Sequence, residues 1–160
     1  MTEPNRGEGW CGMKTKWLVV LIALVLSTHF SFAQDEEVTL FSGNGNPVAY
    51  IDYGNDEPVI YMWSGKPVAY LSRSSSNGMS VYGFNGKHLG WFVGGVVRDH
   101  DGNGACGVKG VVSLPKLEPL KSLKELKPLK SLKELEPLRP IFSMQWSSSP
   151  CSALLFEGAD

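Results

Sequence analysis

Three blocks of the chain repeat one pattern of apolar and polar positions, at offsets of 20 and then 21 residues. In each block an apolar arm leads into a short polar segment containing glycine, and a second apolar arm follows. The blocks are Leu40–Ile51, Ile60–Leu71 and Val81–Phe92. A weaker fourth copy continues the series with Asp101-Gly102 at its polar segment. An internal repeat of this kind predicts a fold built from four equivalent units.

Each unit is typical of a β-hairpin. Asn-Gly, Ser-Gly and Asp-Gly pairs supply the positive φ angles that tight hairpin turns require. Residues 38–109 are therefore expected to form eight short strands. Because exposed strand edges favour closure, we predict an all-β fold of four tandem hairpins that close into a small, shallow barrel with pseudo-four-fold symmetry.

Both faces of the predicted strands are apolar. Val48 and Tyr50 share one face of a second arm, while Ala49 and Ile51 share the other. A single small sheet has only one core to fill, so the second face needs a cover. The candidates are the chain's own tail, another copy, a lipid or a hydrophobic ligand, and the alternation does not tell which face points inward.

Residues 114–141 form a tail with a period of three, followed by a C-terminal segment over 142–160. Prolines recur at every ninth position of this tail (Pro119, Pro128 and Pro137), and its leucines recur at every third: Leu114, Leu117, Leu120, Leu123, Leu126, Leu129, Leu132, Leu135 and Leu138, with Ile141 continuing the series. An α-helix would spread the leucines around its axis and would be broken by the prolines. Polyproline II has three residues per turn and aligns the leucines on one edge. We therefore expect an extended Leu/Pro/Lys-rich tail, with low-complexity disorder as the alternative.

The N-terminal part of the chain has the pattern of a secretory signal peptide over residues 13–33. A basic run at 13–16 precedes an apolar stretch, and small residues at Ser31 and Ala33 favour cleavage after Ala33. An uncleaved anchor is the alternative, but the apolar run is well short of the roughly 20 residues that cross a bilayer. Residues 1–12 are interpreted as a non-native or upstream extension. The mature protein is expected to be secreted or periplasmic.

The charge balance argues against nucleic acid as a partner. The chain has 15 Lys and Arg against 16 Asp and Glu, a formal net charge of −1. The charges are nevertheless segregated, with five basic and eight acidic residues over 35–114 and seven basic and four acidic residues over 115–140. Opposite signs permit the tail to dock on the barrel, and a cationic apolar tail could equally contact anionic lipid. A solvated stripe of charge is the commoner explanation of such a pattern.

The repeats resemble the 4-fold beta flower family. The similarity lies in the tandem units, the Gly-Lys-Pro-Val-Ala-Tyr block at 65–70, the Asn-Gly-Lys-His-Leu-Gly-Trp block at 85–91, the Arg-Asp-His-Asp-Gly stretch at 98–102 and the Pro-rich tail ending in Trp146-Ser147. The resemblance implies a shallow, symmetric β-barrel with an apolar centre. It implies no activity and no catalytic residues.

The candidates for chemistry are few. Residues 99–104 fit the opening D-x-D-x-N-G of a calcium loop, but Gly110 stands where that loop needs its bidentate Glu, so we predict a hairpin turn. His88, next to a predicted turn, is expected at the surface. A hydrolase built around His100 and Asp101 is the weakest hypothesis, because no motif marks a nucleophile. We expect no enzymatic activity, no metal and no cofactor.

Two further sets of residues have a structural and a functional interpretation. Cys106 and Cys151 could form a disulfide in an exported protein, or Cys106 could simply fill a position that requires a small apolar side chain. The aromatic set (Tyr50, Trp63, Tyr70 and Trp91) could line the mouth of the barrel as ligand or membrane contacts, or belong to the core.

The leading hypothesis is an exported, non-enzymatic module that binds a lipid, a hydrophobic ligand or a membrane surface through apolar barrel residues. The alternative is a structural scaffold that binds an envelope protein through its Pro/Leu-rich tail.

Overall fold

A computed structural model of the protein describes residues 37–54 and 56–159. The predicted signal peptide and the extension before it lie outside these residues. None of the helices in the described ranges is long and apolar enough to span a bilayer.

Eight antiparallel strands follow one another around a closed barrel, in the order in which they occur along the chain. The strands are β1 (Glu37–Ser42), β2 (Pro47–Asp52), β3 (Val59–Met62), β4 (Pro67–Arg73), β5 (Met79–Gly83), β6 (His88–Val93), β7 (Val96–Arg98) and β8 (Gly104–Val108). Pairing of β8 with β1 closes the barrel. A short helix, α1 (Cys151–Phe156), follows the tail. The prediction of an all-β barrel of four tandem hairpins is confirmed.

The four hairpins share one irregularity at equivalent positions. The register shifts between Leu40 and Phe41, and likewise at three further pairs: Ile60/Tyr61, Val81/Tyr82 and Val97/Arg98. Such β-bulges bend a strand and increase its twist, which a small closed barrel requires. The fourth pair confirms that the degenerate copy is a genuine repeat.

The turns of the four hairpins contain glycines with nearly equal backbone angles. Gly45, Gly65, Gly86 and Gly102 have φ of 80°, 87°, 88° and 85°. These turns join β1 to β2, β3 to β4, β5 to β6 and β7 to β8. Alternate connections of an up-and-down barrel lie at the same end, so the four turns form one rim.

The interior of the barrel is a single apolar cluster to which every strand contributes. It comprises Leu40, Ala49, Ile51, Ile60, Met62, Val68, Ala69, Leu71, Val81, Leu89, Val97, Ala105 and Cys106, together with Cys151, Leu154 and Leu155 of α1. The face of Ala49 and Ile51 therefore points inward, which the alternation alone did not reveal. The Cys106–Cys151 disulfide, with Cα atoms 5.3 Å apart, joins α1 to β8.

Candidate functional site: the tail and its leucine edge

The outer wall of the barrel carries a second apolar cluster, made mostly of aromatic rings. Its members are Tyr50, Val59, Tyr61, Tyr70, Tyr82 and Phe84, with Trp63 packed against them. Tyr50 and Tyr70 lie on the opposite strand face from their interior neighbours, such as Ile51 and Leu71, because successive residues alternate sides. The rings pack on one another, as in the Tyr50–Tyr61 stack with centroids 5.6 Å apart. This wall is the second apolar face that needed a cover.

The tail crosses each hairpin turn and bonds to it through the backbone. The amide groups of three tail residues and of Ser143, just after the tail, are spaced nine residues apart and donate to the carbonyl oxygens of the four turn glycines. The pairs are Lys116 to Gly45 at 2.8 Å, Glu125 to Gly65 at 2.9 Å, Glu134 to Gly86 at 2.9 Å and Ser143 to Gly102 at 3.1 Å. The nine-residue period of the tail thus matches the repeat of hairpins, one tail repeat for each hairpin.

The turn glycines are required for a second reason besides their positive φ. A Cβ atom on Gly65 would lie 2.0 Å from the carbonyl oxygen of Leu123. The corresponding distances are 1.9 Å at Gly45 and 2.1 Å at Gly86. Any side chain at these turns would therefore push the tail away from the rim.

Lysines of the tail lie over the aromatic wall. Lys121 Nζ is 4.5 Å from the centroid of the Tyr50 ring, and Lys130 Nζ is 4.2 Å from that of Tyr70. These distances fall within the range of cation–π attraction. Lys133 spans the next pair of rings, 5.3 Å from Tyr70 and 5.2 Å from Tyr82. The lysines thus cover the rings with cationic heads instead of apolar side chains.

Acidic residues of the barrel pair with the same lysines. Lys121 and Lys124 both contact Glu37 at 2.6 Å, and Lys124 also contacts Asp52 at 2.7 Å. Glu57 pairs with Lys130. Burial alone would lower the pKa of Lys124, but its hydrogen bonds and attraction to Asp52 and Glu37 outweigh that effect and raise it. The segregated charges therefore bind the tail to the barrel.

Glu136 anchors the tail to a buried tryptophan of the third hairpin. Its carboxylate accepts hydrogen bonds from Trp91 Nε1 at 2.9 Å, from Ser74 Oγ at 2.5 Å and from the Ser75 amide at 3.1 Å. Burial opposes ionisation of this carboxylate, but the hydrogen bonds from Ser74, Ser75 and Trp91 dominate and lower its pKa to about 2. The tail thus supplies the partner that the buried indole N–H needs.

The expectation that His88 lies at the surface is wrong, since only 4% of it is exposed. The Glu134 carboxylate accepts its backbone N–H at 3.0 Å, and its ring packs against Tyr82 and Trp91. Its Nδ1 lies 3.0 Å from Nε2 of His100. Burial, followed by repulsion from His100, lowers the pKa of His88 to about 4.

The leucines of the tail point away from the barrel. We call the row Leu114, Leu117, Leu120, Leu123, Leu126, Leu129, Leu132, Leu135, Leu138 and Ile141 the leucine edge. Each of these side chains is 80–97% exposed. Residues 115–143 have neither helix nor strand, and the polyproline II conformation of this segment stays a prediction. With polar residues engaged on the barrel, the period of three leaves the leucines outermost.

The four aromatic residues considered as ligand contacts do not form an open mouth. Tyr50, Tyr70 and Trp91 are at most 1% exposed, and Trp63 is partly buried. Lysines and glutamates of the tail occupy the space over them. The three buried rings are therefore packed inside the protein, which is the structural alternative to a ligand or membrane contact. The exposed apolar surface is the leucine edge, and its only signal in the sequence was the three-residue period of the leucines.

The Asp-rich segment at 99–104 is the hairpin turn that the repeat predicted. The Gly102 amide donates to the Asp99 carbonyl at 3.1 Å, and the Asp99 carboxylate accepts from the amides of Asp101 and Asn103 at 3.0 and 2.8 Å. Over 37–54 and 56–159, no three His, Cys, Asp or Glu side chains are grouped to hold a metal ion.

The family model of the 4-fold beta flower protein matches residues 38–155, most of the chain. The chain belongs to this family. In this beta flower protein, the matched region includes the four hairpins, the whole tail and most of α1. No curated protein and no solved structure gave a significant match.

Proposed function

We propose that this beta flower protein is an exported, non-enzymatic module that attaches to a lipid membrane surface, and that the leucine edge makes the contact. The observation that carries the proposal is the row of ten large apolar side chains that are almost fully exposed. The predicted signal peptide supports export but plays no part in the contact.

The apolar area of the leucine edge is large for a free surface. Burying one leucine side chain is worth roughly 1.5–3 kcal/mol at about 25 cal/mol per Å², so ten of them present on the order of 600–1,200 Å². The largest apolar patch on a typical monomer is about 300–600 Å². The edge is a row of separate side chains and not one contiguous patch, but its total exposed apolar area supports contact with an apolar phase.

The uniformity of the leucine edge favours a lipid over a folded protein. Protein interfaces concentrate their affinity in aromatic and Arg anchors and contain hydrogen bonds across the contact. From Leu114 to Ile141 the edge presents only aliphatic side chains, roughly 9 Å apart if the segment is polyproline II. A fluid bilayer interface can surround separate side chains at such a spacing, whereas a rigid partner would need matching pockets.

The charges of the tail contribute little to the proposed contact. Lys121, Lys124 and Lys130 pair with carboxylates of the barrel. Their positive charge is therefore largely neutralised before a membrane approaches. We expect attachment to neutral vesicles as well as to anionic ones, with weak dependence on salt.

Flotation with phosphatidylcholine vesicles tests the proposal. Residues 34–160 include the whole compact unit at 35–160 and are the form to use. The variant Leu120→Ser/Leu126→Ser/Leu129→Ser removes three side chains that are at least 92% exposed, so its stability should be unchanged. Wild type should float, and the serine variant should lose most of its binding.

A matched control replaces the same three leucines with methionine, which preserves apolar character at each position. The methionine variant should float like wild type. Equal flotation of the serine variant, or no flotation of wild type, would contradict the proposal. Calorimetric unfolding of all three proteins shows whether any difference arises from loss of the fold.

Contact with an envelope protein through the tail is a second candidate function. Pro119, Pro128 and Pro137 stiffen the tail at regular intervals, which suits recognition of an extended Pro-rich segment. A protein partner would bind at a fixed stoichiometry and without vesicles. Failure of flotation together with saturable binding of this kind would favour the second candidate.

A further inference from the structure

The four-fold repeat is broken at the first hairpin, next to a cavity of about 530 Å³. Gly43 stands where the second and third hairpins have Trp63 and Phe84. Three positions later in the same hairpin, Asn46 stands where the second and third hairpins have Lys66 and Lys87, as Asn103 does in the fourth. Both differences put a smaller side chain at this place. The segment that follows the tail reaches the same place, because residues 146–152 form the other wall of the cavity.

Trp146 is held rigidly at this cavity. The flanking backbone bonds to β8, since the Gly104 amide donates to the Gln145 carbonyl at 2.9 Å and the Ser147 amide donates to the Gly104 carbonyl at 2.8 Å. The indole packs on Gly43, where a Cβ atom would lie 2.7 Å from its Cδ2. Even so, 41% of Trp146 stays exposed. The ring is therefore a fixed aromatic surface that solutes can reach.

The polar groups around Trp146 are uncharged donors and acceptors. The cavity lining includes Asn44, Asn46, Ser147, Ser148 and Ser149 and contains no Lys, Arg, His, Asp or Glu. Oδ1 of Asn44 accepts hydrogen bonds from Ser42 Oγ at 2.5 Å and from Asn46 Nδ2 at 3.0 Å. These bonds fix the Asn44 amide. Within the described residues, neither its Nδ2 nor the Ser148 hydroxyl has a protein partner in a hydrogen bond.

We propose that this cavity binds a neutral saccharide, with one sugar ring packed on Trp146 and its hydroxyl groups bonded to Asn44 and Ser148. A sugar presents an apolar C–H face to an aromatic ring and hydroxyl groups to amide and serine side chains. The lining has no carboxylate to attract a cation, and the Lys116 ammonium that reaches it already donates to Asn46 Oδ1 at 2.7 Å. A charged ligand would therefore lose hydration here without gaining an unengaged opposite charge. The volume is within the roughly 300–1,000 Å³ of sites for small molecules. The proposal is independent of the leucine edge, which lies outside the cavity lining.

Titration calorimetry with three neutral trisaccharides tests the inference: a β-1,4-linked glucose trimer, an α-1,4-linked glucose trimer and an N-acetylglucosamine trimer. Residues 34–160 should bind at least one of them, and an anionic galacturonate trimer should bind more weakly. Asn44→Ala and Ser148→Ala should each reduce the affinity at least five-fold. Ser64→Ala, at the position of Asn44 in the second hairpin, should leave it unchanged.

Trp146→Phe keeps an aromatic ring against Gly43 but reduces the surface offered to a sugar, so it should weaken binding while the fold persists. Near-ultraviolet circular dichroism monitors the fold of each variant. Absence of binding by all three neutral probes would overturn the inference. Binding that Asn44→Ala and Ser148→Ala leave unchanged, or that Ser64→Ala reduces equally, would overturn it as well.

Discussion

The interior of the barrel and the tail are both rich in aliphatic side chains, yet the two regions use them in opposite ways. Leu40, Leu71 and Leu89 are at most 1% exposed in the interior cluster, whereas Leu120 and Leu138 are 97% exposed. The tail is attached through amide groups, lysines and glutamates, and the aromatic wall beneath it is covered by cations. Apolar content alone therefore does not identify the core. Which side chains are buried depends on the surface against which each segment packs.

The largest expected contrast is between one leucine from each region. Leu71→Ala leaves a cavity in the interior cluster and should lower the free energy of unfolding by about 2–5 kcal/mol. Leu126→Ala removes a side chain that is 94% exposed, so its effect should stay within about 0.5 kcal/mol. Urea denaturation of both variants measures the difference. Equal destabilisation would mean that the leucine edge is buried in solution.

Removing the disulfide should loosen the attachment of α1, which follows the tail, to the interior of the barrel. Cys106→Ala/Cys151→Ala opens a link that spans 45 residues, and the expected loss is about 2–4 kcal/mol. Thermal unfolding with and without reductant provides the measurement. Reductant should lower the melting temperature of wild type and leave that of the double variant unchanged. A double variant as stable as oxidised wild type would show that packing of α1 alone holds the tail.

The contact of the tail with the rim can be tested at one glycine. Gly65→Ala introduces a strained φ of 87° and a Cβ atom 2.0 Å from the carbonyl oxygen of Leu123. Gly94→Ala is the matched control, because its φ is 59° and nothing lies within 4 Å of the added atom. Strain alone should cost about 1–2 kcal/mol at either site. Gly65→Ala should cost more than the control and should increase hydrogen exchange at the Glu125 amide, while equal costs would contradict the tail contact.

Acidification should weaken the contact of the tail with the third hairpin in two successive pH ranges that overlap slightly near pH 4. The pKa of His88 falls from 6.5 to about 4 on folding, so its contribution to stability is complete above pH 6.5 and is lost as the pH falls towards 4. The pKa of Glu136 falls from 4.5 to about 2, so its contribution is lost below pH 4.5. His100, Glu134 and Glu136 are the charged or titratable groups that act on His88.

The pH dependence of the melting temperature measures these contributions. His88→Asn should flatten the curve between about pH 6.5 and 4, and Glu136→Gln should flatten it below about pH 4.5. Ser76→Ala, in the loop that Glu136 joins, does not change a charge and should leave the shape of the curve unaltered. An unchanged curve for His88→Asn would indicate that His88 does not lose its proton affinity on folding.

Much of the fold could be predicted from local patterns. The turn glycines and the alternation in blocks such as Leu40–Ile51 are set by backbone conformational preferences, which act within a few residues. The fourth, degenerate copy could be predicted as a hairpin like the other three because it continues their series. The burial of His88 could not be predicted in this way, because the residues around it include Glu134, which is 46 positions away along the chain.

For the candidate site, the sequence determined the leucine period, the nine-residue proline period and the opposite net charges of tail and barrel. Each of these is a property of neighbouring residues and can be read without a partner. Only the tertiary structure decided that the face of Ala49 and Ile51 points inward, that lysines cover Tyr50 and Tyr70, and that the leucines remain exposed. The physical reason is that either apolar strand face could point inward and any of the three edges of the tail could pack on the barrel. Closure of the barrel and the match of tail repeats to hairpin turns select one combination.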